Sequence, residues 1–293
     1  MKWRKGRRSD NVVVASGGSG QRRGFRPIHG MSLTGLLVLM GIAWLFGINP
    51  LQFLGLMGGG GNDAGSTAQV ATQPATSDSE DKDFVRVVVG STEDVWTRVF
   101  RQRGLQPYVD PTLVLYNDYV PTACGAGQSA MGPFYCPGDQ KVYLDLGFFN
   151  EMQSRFHASG DFARAYVIAH EVGHHVQNQL GIFAAVDKAR RQGAPMQGAA
   201  GLSVRQELQA DCFAGVWAMR SQQQYSWLEA GDIEAAMNAA SAVGDDTLQK
   251  QSRGRVVPDS FTHGTSQQRQ RWFHAGFQSG DIGDCNTFKA NQL

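Results

Sequence analysis

The stretch YVIAHEVGHHVQNQL, Tyr166–Leu180, constrains this chain more than any other. It reads as one helix, and helix residues four apart lie one above the other. His170 and His174 therefore project from the same face. Val167, Ile168, Val172 and Val176 make the helix apolar enough to be largely buried. Two imidazoles and the carboxylate of Glu171 on a buried helix need partners, because unpaired polar groups are costly there. A metal ion supplies them. Two ring nitrogens at this spacing can bind one zinc, while Glu171, one step round the helix, can hold the metal's water without being a ligand. That is the general-base geometry of a metalloprotease. The plainer alternative, a helix with surface histidines, fits the apolar neighbours badly.

Catalytic zinc takes three protein ligands and keeps a position for water. The metzincin extension HExxHxxGxxH fails, because Gln177 and Leu180 stand at its later positions. The other arrangement takes a carboxylate from a downstream helix. SVRQELQADCFAGVWAMRSQQ reads as such a helix with Ser203 as N-cap, and ELQAD puts Glu207 and Asp211 on one face. Glu207 is the expected third ligand. Asp211 can accept the outer N–H of a ligand histidine and fix its tautomer. Ala210, Ala214 and Gly215 are small, so this helix can lie close to the first. Alone, such an acidic pair usually marks a solvated face; HEVGH upstream reverses that reading. Glu151, Asp187, Glu229 and Glu234 lack a matching helical carboxylate partner. His263, in FTHGTSQQR, is the candidate donor to the oxygen that gains charge during peptide hydrolysis, with Gly264 leaving room for substrate. A loop histidine with only hydrogen-bonding duties fits it equally. His29, His157, His175 and His274 read as structural.

A chain of 293 residues with 42% hydrophobic content can bury a full core in one or two domains. Its net charge of +1 hides an asymmetry. Residues 1–30 hold eight basic residues and one acid, which leaves 19 basic and 25 acidic residues in the rest. A mildly acidic body is a poor nucleic-acid binder. The run Met31–Met57 carries no charge and is long enough to span a bilayer, which takes about 20 residues. Trp44 and Phe46 suit its far interface, and the basic residues before it keep residues 1–30 cytoplasmic by the positive-inside rule. A cleaved signal peptide is the rival reading, disfavoured by the long basic region and the lack of a nearby small-x-small site. Residues 58–81 read as a Gly/Ser/Thr-rich linker, and residues 82–293 as the globular domain.

Within that domain a helical region covers 84–104, with Ser91 as an N-cap and Gly104 as the stop. Thr112–Tyr116 reads as a strand, and FYC and KVYLDL as a hairpin about a Pro-Gly-Asp turn. Helices follow at Gly147–Ala158, from Asp161 to Gly181, from Asp232, and over Ser266–Gly280, with a polar stretch before Gly201. Lys141–Leu146 is the expected edge for pairing with an extended substrate. Cys124, Cys136, Cys212 and Cys285 lie in the part expected outside the cytoplasm, where disulfides are favoured. Cys124–Cys136 would staple the hairpin and Cys212–Cys285 would tie the third-ligand helix to the tail; spacing leaves all three pairings open.

The tail MKWRKGRRSDNV, the apolar run, GPFYCPGDQKVYLDL, HEVGHHVQ, ELQADCFAG and FTHGTSQQR together resemble the neutral zinc metallopeptidase family of bacterial membrane-anchored proteins. The likeness covers nearly the whole chain outside the linker and is far more specific than HExxH. It implies His170, His174 and Glu207 as zinc ligands and Glu171 as the catalytic residue. The expectation is an α+β protein: a mostly helical zincin-like domain with a small antiparallel sheet, preceded by one transmembrane helix. It would be a zinc metalloendopeptidase acting on a protein or peptide, held in the bacterial inner membrane with its N-terminus in and its catalytic domain outside. The alternatives are a non-catalytic, membrane-tethered binding module with a structural zinc, and a metallohydrolase of another substrate.

Overall fold

A computed structural model describes residues 1–15, 75–128, 132–154 and 160–293. The run Met31–Met57, His29, His157 and most of the linker lie outside the described residues. Among the described residues no helix is long and apolar enough to cross a membrane.

Strand β1, Val12–Val14, comes from the segment read as a free basic tail. Helix α1 then runs unbroken over Ala75–Gln102, so it starts inside the stretch read as linker. It passes straight through Gly90, Ser91 and Thr92. Ser91 is no cap: its hydroxyl donates to Val88 O at 2.6 Å and accepts from the Trp217 indole at 3.0 Å. Phe84, Val88, Trp96 and Phe100 on this helix are buried in the main core.

Strands β2, Thr112–Tyr116, β3, Tyr119–Thr122, β4, Gly125–Gln128, β5, Phe134–Cys136, and β6, Lys141–Asp145, follow. One sheet has the order β1-β2-β6-β5, while β3 and β4 form a separate hairpin. Leu113 stands opposite Val13's neighbour Val12 on one side and Val142 on the other, both in parallel register. Only β5 runs antiparallel, with Tyr135 opposite Val142. The sheet is therefore mixed rather than antiparallel. The expectation for Lys141–Leu146 is also corrected, since β6 lies between β2 and β5 and has no free edge. Among the described residues the sheet's edge strand on the cleft side is β5.

Helices α2, Gly147–Ser154, α3, Asp161–Gln179, α4, Ile182–Arg191, α5, Leu202–Tyr225, α6, Asp232–Ala242, α7, Asp245–Arg253, and α8, Ser266–Ser279, complete the α+β architecture. The N-cap of α5 is Gly201, with Ser203 inside the first turn. Helix α8 starts with a reciprocal capping box between Thr265 and Gln268.

Two close helix crossings set the site. On α3, a Cβ at Gly173 would stand 3.0 Å from Ala210 O of α5. On the other face of α5, a Cβ at Gly276 of α8 would stand 1.9 Å from Cys212 O, and one at Gly215 would stand 2.1 Å from Phe273 O. Gly215 thus brings α5 against α8, not against α3; Gly173 and Ala210 make that second approach. Disulfides join Cys124 to Cys136 and Cys212 to Cys285. The second ties α5 to the C-terminal segment.

Candidate metal centre

Helix α3 carries its polar trio on a buried face: His170, Glu171 and His174 are each under a tenth exposed. Because α5 crosses so closely at Ala210, Glu207, one turn earlier, reaches both rings. Its Oε2 lies 3.2 Å from His170 Nε2 and its Oε1 lies 3.4 Å from His174 Nε2. Ligand atoms about 2.1 Å from a tetrahedral zinc stand roughly 3.4 Å from one another. Glu207 is therefore already at ligand spacing from both imidazoles, and one ligand atom from each of the three residues lies within 4.8 Å of the others.

The remote nitrogens decide what faces inward. His170 Nδ1 meets Asp211 Oδ1 at 2.8 Å. His174 Nδ1 meets Gln177 Oε1 at 2.9 Å. The Gln177 amide is oriented by its other end, which donates to Gln206 O and Gln209 Oε1. Both Nδ1 atoms thus face acceptors and carry the protons. Neutral rings then turn Nε2 lone pairs toward a carboxylate. Three converging acceptors are stable only with positive charge between them, which a divalent cation supplies. Without one, protons take that place. Burial opposes charge on the His170 ring, yet Asp211 and Glu207 hold its pKa up to about 10. Burial likewise opposes ionisation of Glu207, and the two imidazoles still draw it well below the usual carboxylate range.

A buried network backs His170. Asp211 Oδ1 accepts from the Tyr166 hydroxyl at 2.5 Å as well as from His170. Arg269 of α8 donates to Oδ2 at 2.8 Å and to Oδ1 at 2.9 Å. Burial raises the Asp211 pKa, but Arg269 and His170 outweigh it and bring it to about 2. Asp211 is therefore a permanent anion behind the His170 ring.

Glu171 lines the same cleft, of about 470 Å³, and burial lifts its pKa above the ordinary glutamate value. The cleft wall includes Phe134, Tyr135, Phe148, Val167 and Leu248. His263 also lines it, half-exposed, on the loop before α8. Asp245, at the start of α7, gathers that loop. Its Oδ2 accepts the backbone N–H groups of Thr262, His263 and Gly264 at 2.7, 2.6 and 2.9 Å. Its Oδ1 lies 3.3 Å from His263 Nδ1. Gly264 has φ +89° and packs on Val204 and Leu208, so its role is the turn, not room for substrate.

Sequence reasoning missed Gln177, Tyr166, Asp245 and Arg269. Gln177 signals in the sequence only a break in the metzincin pattern, and Arg269, at the end of FTHGTSQQR, has its partner Asp211 far along the chain. His175 is structural: its ring bonds Val109 O at 2.7 Å and meets the Tyr135 hydroxyl at 3.1 Å, tying α3 to β5.

Two histidines one turn apart on a helix, and a glutamate from a second helix, make a donor set that suits a zinc ion. The chain belongs to the family described as "Putative neutral zinc metallopeptidase", whose profile matches residues 1–288. It is 49% identical over 292 residues to uncharacterized protein YpfJ of Escherichia coli, covering 98% of this chain and 99% of that one. It is 45% identical over 218 residues to an uncharacterized protein of Mycobacterium tuberculosis, covering 71% of each. No solved structure matches.

Proposed function

We propose that the chain is a zinc endopeptidase, with His170, His174 and Glu207 as metal ligands and Glu171 as general base. The observation that carries this reading is the spacing of Glu207 from the two Nε2 atoms, 3.2 and 3.4 Å, beside a cleft-lining Glu171. Bound zinc would polarise a scissile carbonyl and acidify a water molecule. Glu171 takes the proton of the attacking water and returns it to the leaving amine, a contribution of about 10²–10⁴ in rate. Its burial suits the first task, because a raised pKa makes the carboxylate a stronger base toward the water's proton. His263, held by Asp245, donates from its free nitrogen to the oxygen that gains charge.

The substrate is an extended polypeptide. β5 pairs only with β6 among the described residues and has Phe134 and Tyr135 in the cleft wall. An extended segment can add to its open edge by main-chain hydrogen bonds. The apolar wall formed by Phe134, Phe148, Val167 and Leu248 favours an apolar substrate side chain beside the scissile bond.

The test measures zinc content and cleavage of unfolded polypeptides by wild type and Glu171→Gln. The expected result is one zinc per chain in both proteins, with cleavage in wild type only. Zinc-loaded wild type that cleaves no peptide bond would favour the non-catalytic binding module and end this reading.

A further inference from the structure

The expected topology puts residues 1–30 and the HEVGH domain on opposite sides of a membrane. In the structure residues 1–15 are built into that domain. Trp3 is 2% exposed, packs edge-on against Phe84, and donates from its indole nitrogen to Asp161 at 3.0 Å, in the first turn of the HEVGH helix. Ser9 is fully buried and donates to Glu93 at 2.5 Å. Its backbone N–H donates to Arg86 O at 2.9 Å. Val12, Val13 and Val14 pair in parallel register with Leu113, Val114 and Leu115, which makes the tail an edge strand of the sheet.

The tail's charge has partners on the same domain. Arg8 grips Asp83 at 3.0 and 2.6 Å. Arg7 reaches Glu93 at 2.6 Å and Asp94 at 2.9 Å. Arg4 pairs with Glu80, and Lys2 lies 3.8 Å from Glu229. Exposed ion pairs contribute little each. Trp3 and Ser9 are buried, and together with the parallel pairing of β1 to β2, whose Val13 and Val14 are exposed, they fix the tail's place. Close packing reinforces it, since a Cβ at Gly90 of α1 would stand 2.6 Å from Arg7 O. The basic cluster that reads as a cytoplasmic retention signal thus doubles as the complement of an acidic helix.

We propose that residues 1–15 and the HEVGH domain occupy one compartment, on the same side of any membrane the protein meets. A segment that leaves a domain and returns to it crosses an even number of times or not at all. Two helical crossings need about 40 apolar residues. The one uncharged apolar run between these points, Met31–Met57, has 27. A single crossing would strip β1 from the sheet and withdraw Trp3 from the start of the helix that bears both histidines. Docking and traverse are therefore alternatives, and the buried contacts favour docking.

The test uses the unmodified full-length chain in cells. Lys5 in the tail and Lys250 on α7 are both exposed. A membrane-impermeant amine-reactive label is applied to intact and to permeabilised cells, and modification of each lysine is read by mass spectrometry. The expected result is that both become modified under the same condition. Modification of one in intact cells, with the other reached only after permeabilisation, overturns the proposal. A zero-length carboxyl-to-amine cross-linker gives a second readout, the expected product being a Lys2–Glu229 bond within one chain. Failure to form it in any membrane or soluble fraction, while the folded domain is present, also overturns it.

Discussion

Arg269 holds both carboxylate oxygens of Asp211, at 2.8 and 2.9 Å, from a helix that carries no metal ligand. Asp211 is fully buried, and Arg269 is 4% exposed. Taking one partner from such a pair strands a charge in the core, which typically costs about 3–5 kcal/mol. Arg269→Gln is therefore expected to lose that much stability in urea unfolding, and Arg269→Lys less, because it keeps the charge. Equal unfolding midpoints for wild type and Arg269→Gln would show that the pair does not stabilise the fold.

Asp211 and Gln177 act on the two histidines separately. Removing an acceptor behind a ligand imidazole typically weakens metal binding about 10–100-fold. Asp211→Asn and Gln177→Leu are each expected to lower zinc affinity by that order in a competitive chelator titration. Zinc affinity unchanged in Gln177→Leu would mean that the His174 ring is oriented by something other than its 2.9 Å contact.

The His263–Asp245 contact sets the direction of a pH effect. Its hydrogen bond to Asp245 raises the His263 pKa above the ordinary value, against the effect of burial. The protonated ring is the donating form. It is present below the folded pKa and lost as pH rises through it. Asp245→Asn removes the negative charge and lowers that pKa, so the alkaline limb of kcat/KM is expected to move to lower pH. His263→Ala should remove the limb and cost about 10²–10³ in rate, as loss of a transition-state donor does. An alkaline limb that stays in place in Asp245→Asn would disconnect His263 from it.

The ligand helices were legible because spacing within one helix carries the information. HEVGH and ELQAD each put two polar groups on one face without reference to the rest of the chain. What brings the two helices together was partly misread: Gly215 was visible as a small residue, but sequence could not say that it faces α8. Arg269 and Asp245 were missed because each acts on a partner far along the chain, Asp211 and His263, and has no local signature. Strand β1 is three residues long, and its partner β2 lies about a hundred residues away, so no hydrophobic period could reveal it. Helix α4 falls inside the stretch read as polar because its apolar residues crowd into its first half, only Val186 among them is buried, and its exposed face holds Asp187, Arg190 and Arg191. The edge strand was misassigned for the same reason as the sheet's direction. A hairpin identifies two neighbouring strands, but not which of them a third strand covers.

The two close helix crossings make a final pair of predictions, in which metal binding and stability should separate. Gly173→Ala adds a Cβ 3.0 Å from Ala210 O, a contact that a small shift of α5 relieves. That shift moves Glu207, one turn away, relative to both imidazoles. Gly276→Ala adds a Cβ 1.9 Å from Cys212 O, which no small shift accommodates. Overpacking of this kind costs about 1–3 kcal/mol or more. Gly276→Ala is therefore expected to show the larger fall in unfolding free energy. Gly173→Ala should retain most of its stability yet bind zinc more weakly, since a Glu207 held 3.2 and 3.4 Å from the two imidazoles tolerates little relative movement of the helices. Zinc titration and urea unfolding on the same two proteins decide the matter. Zinc affinity equal to wild type in Gly173→Ala would show that the α3–α5 approach does not set the spacing of the site.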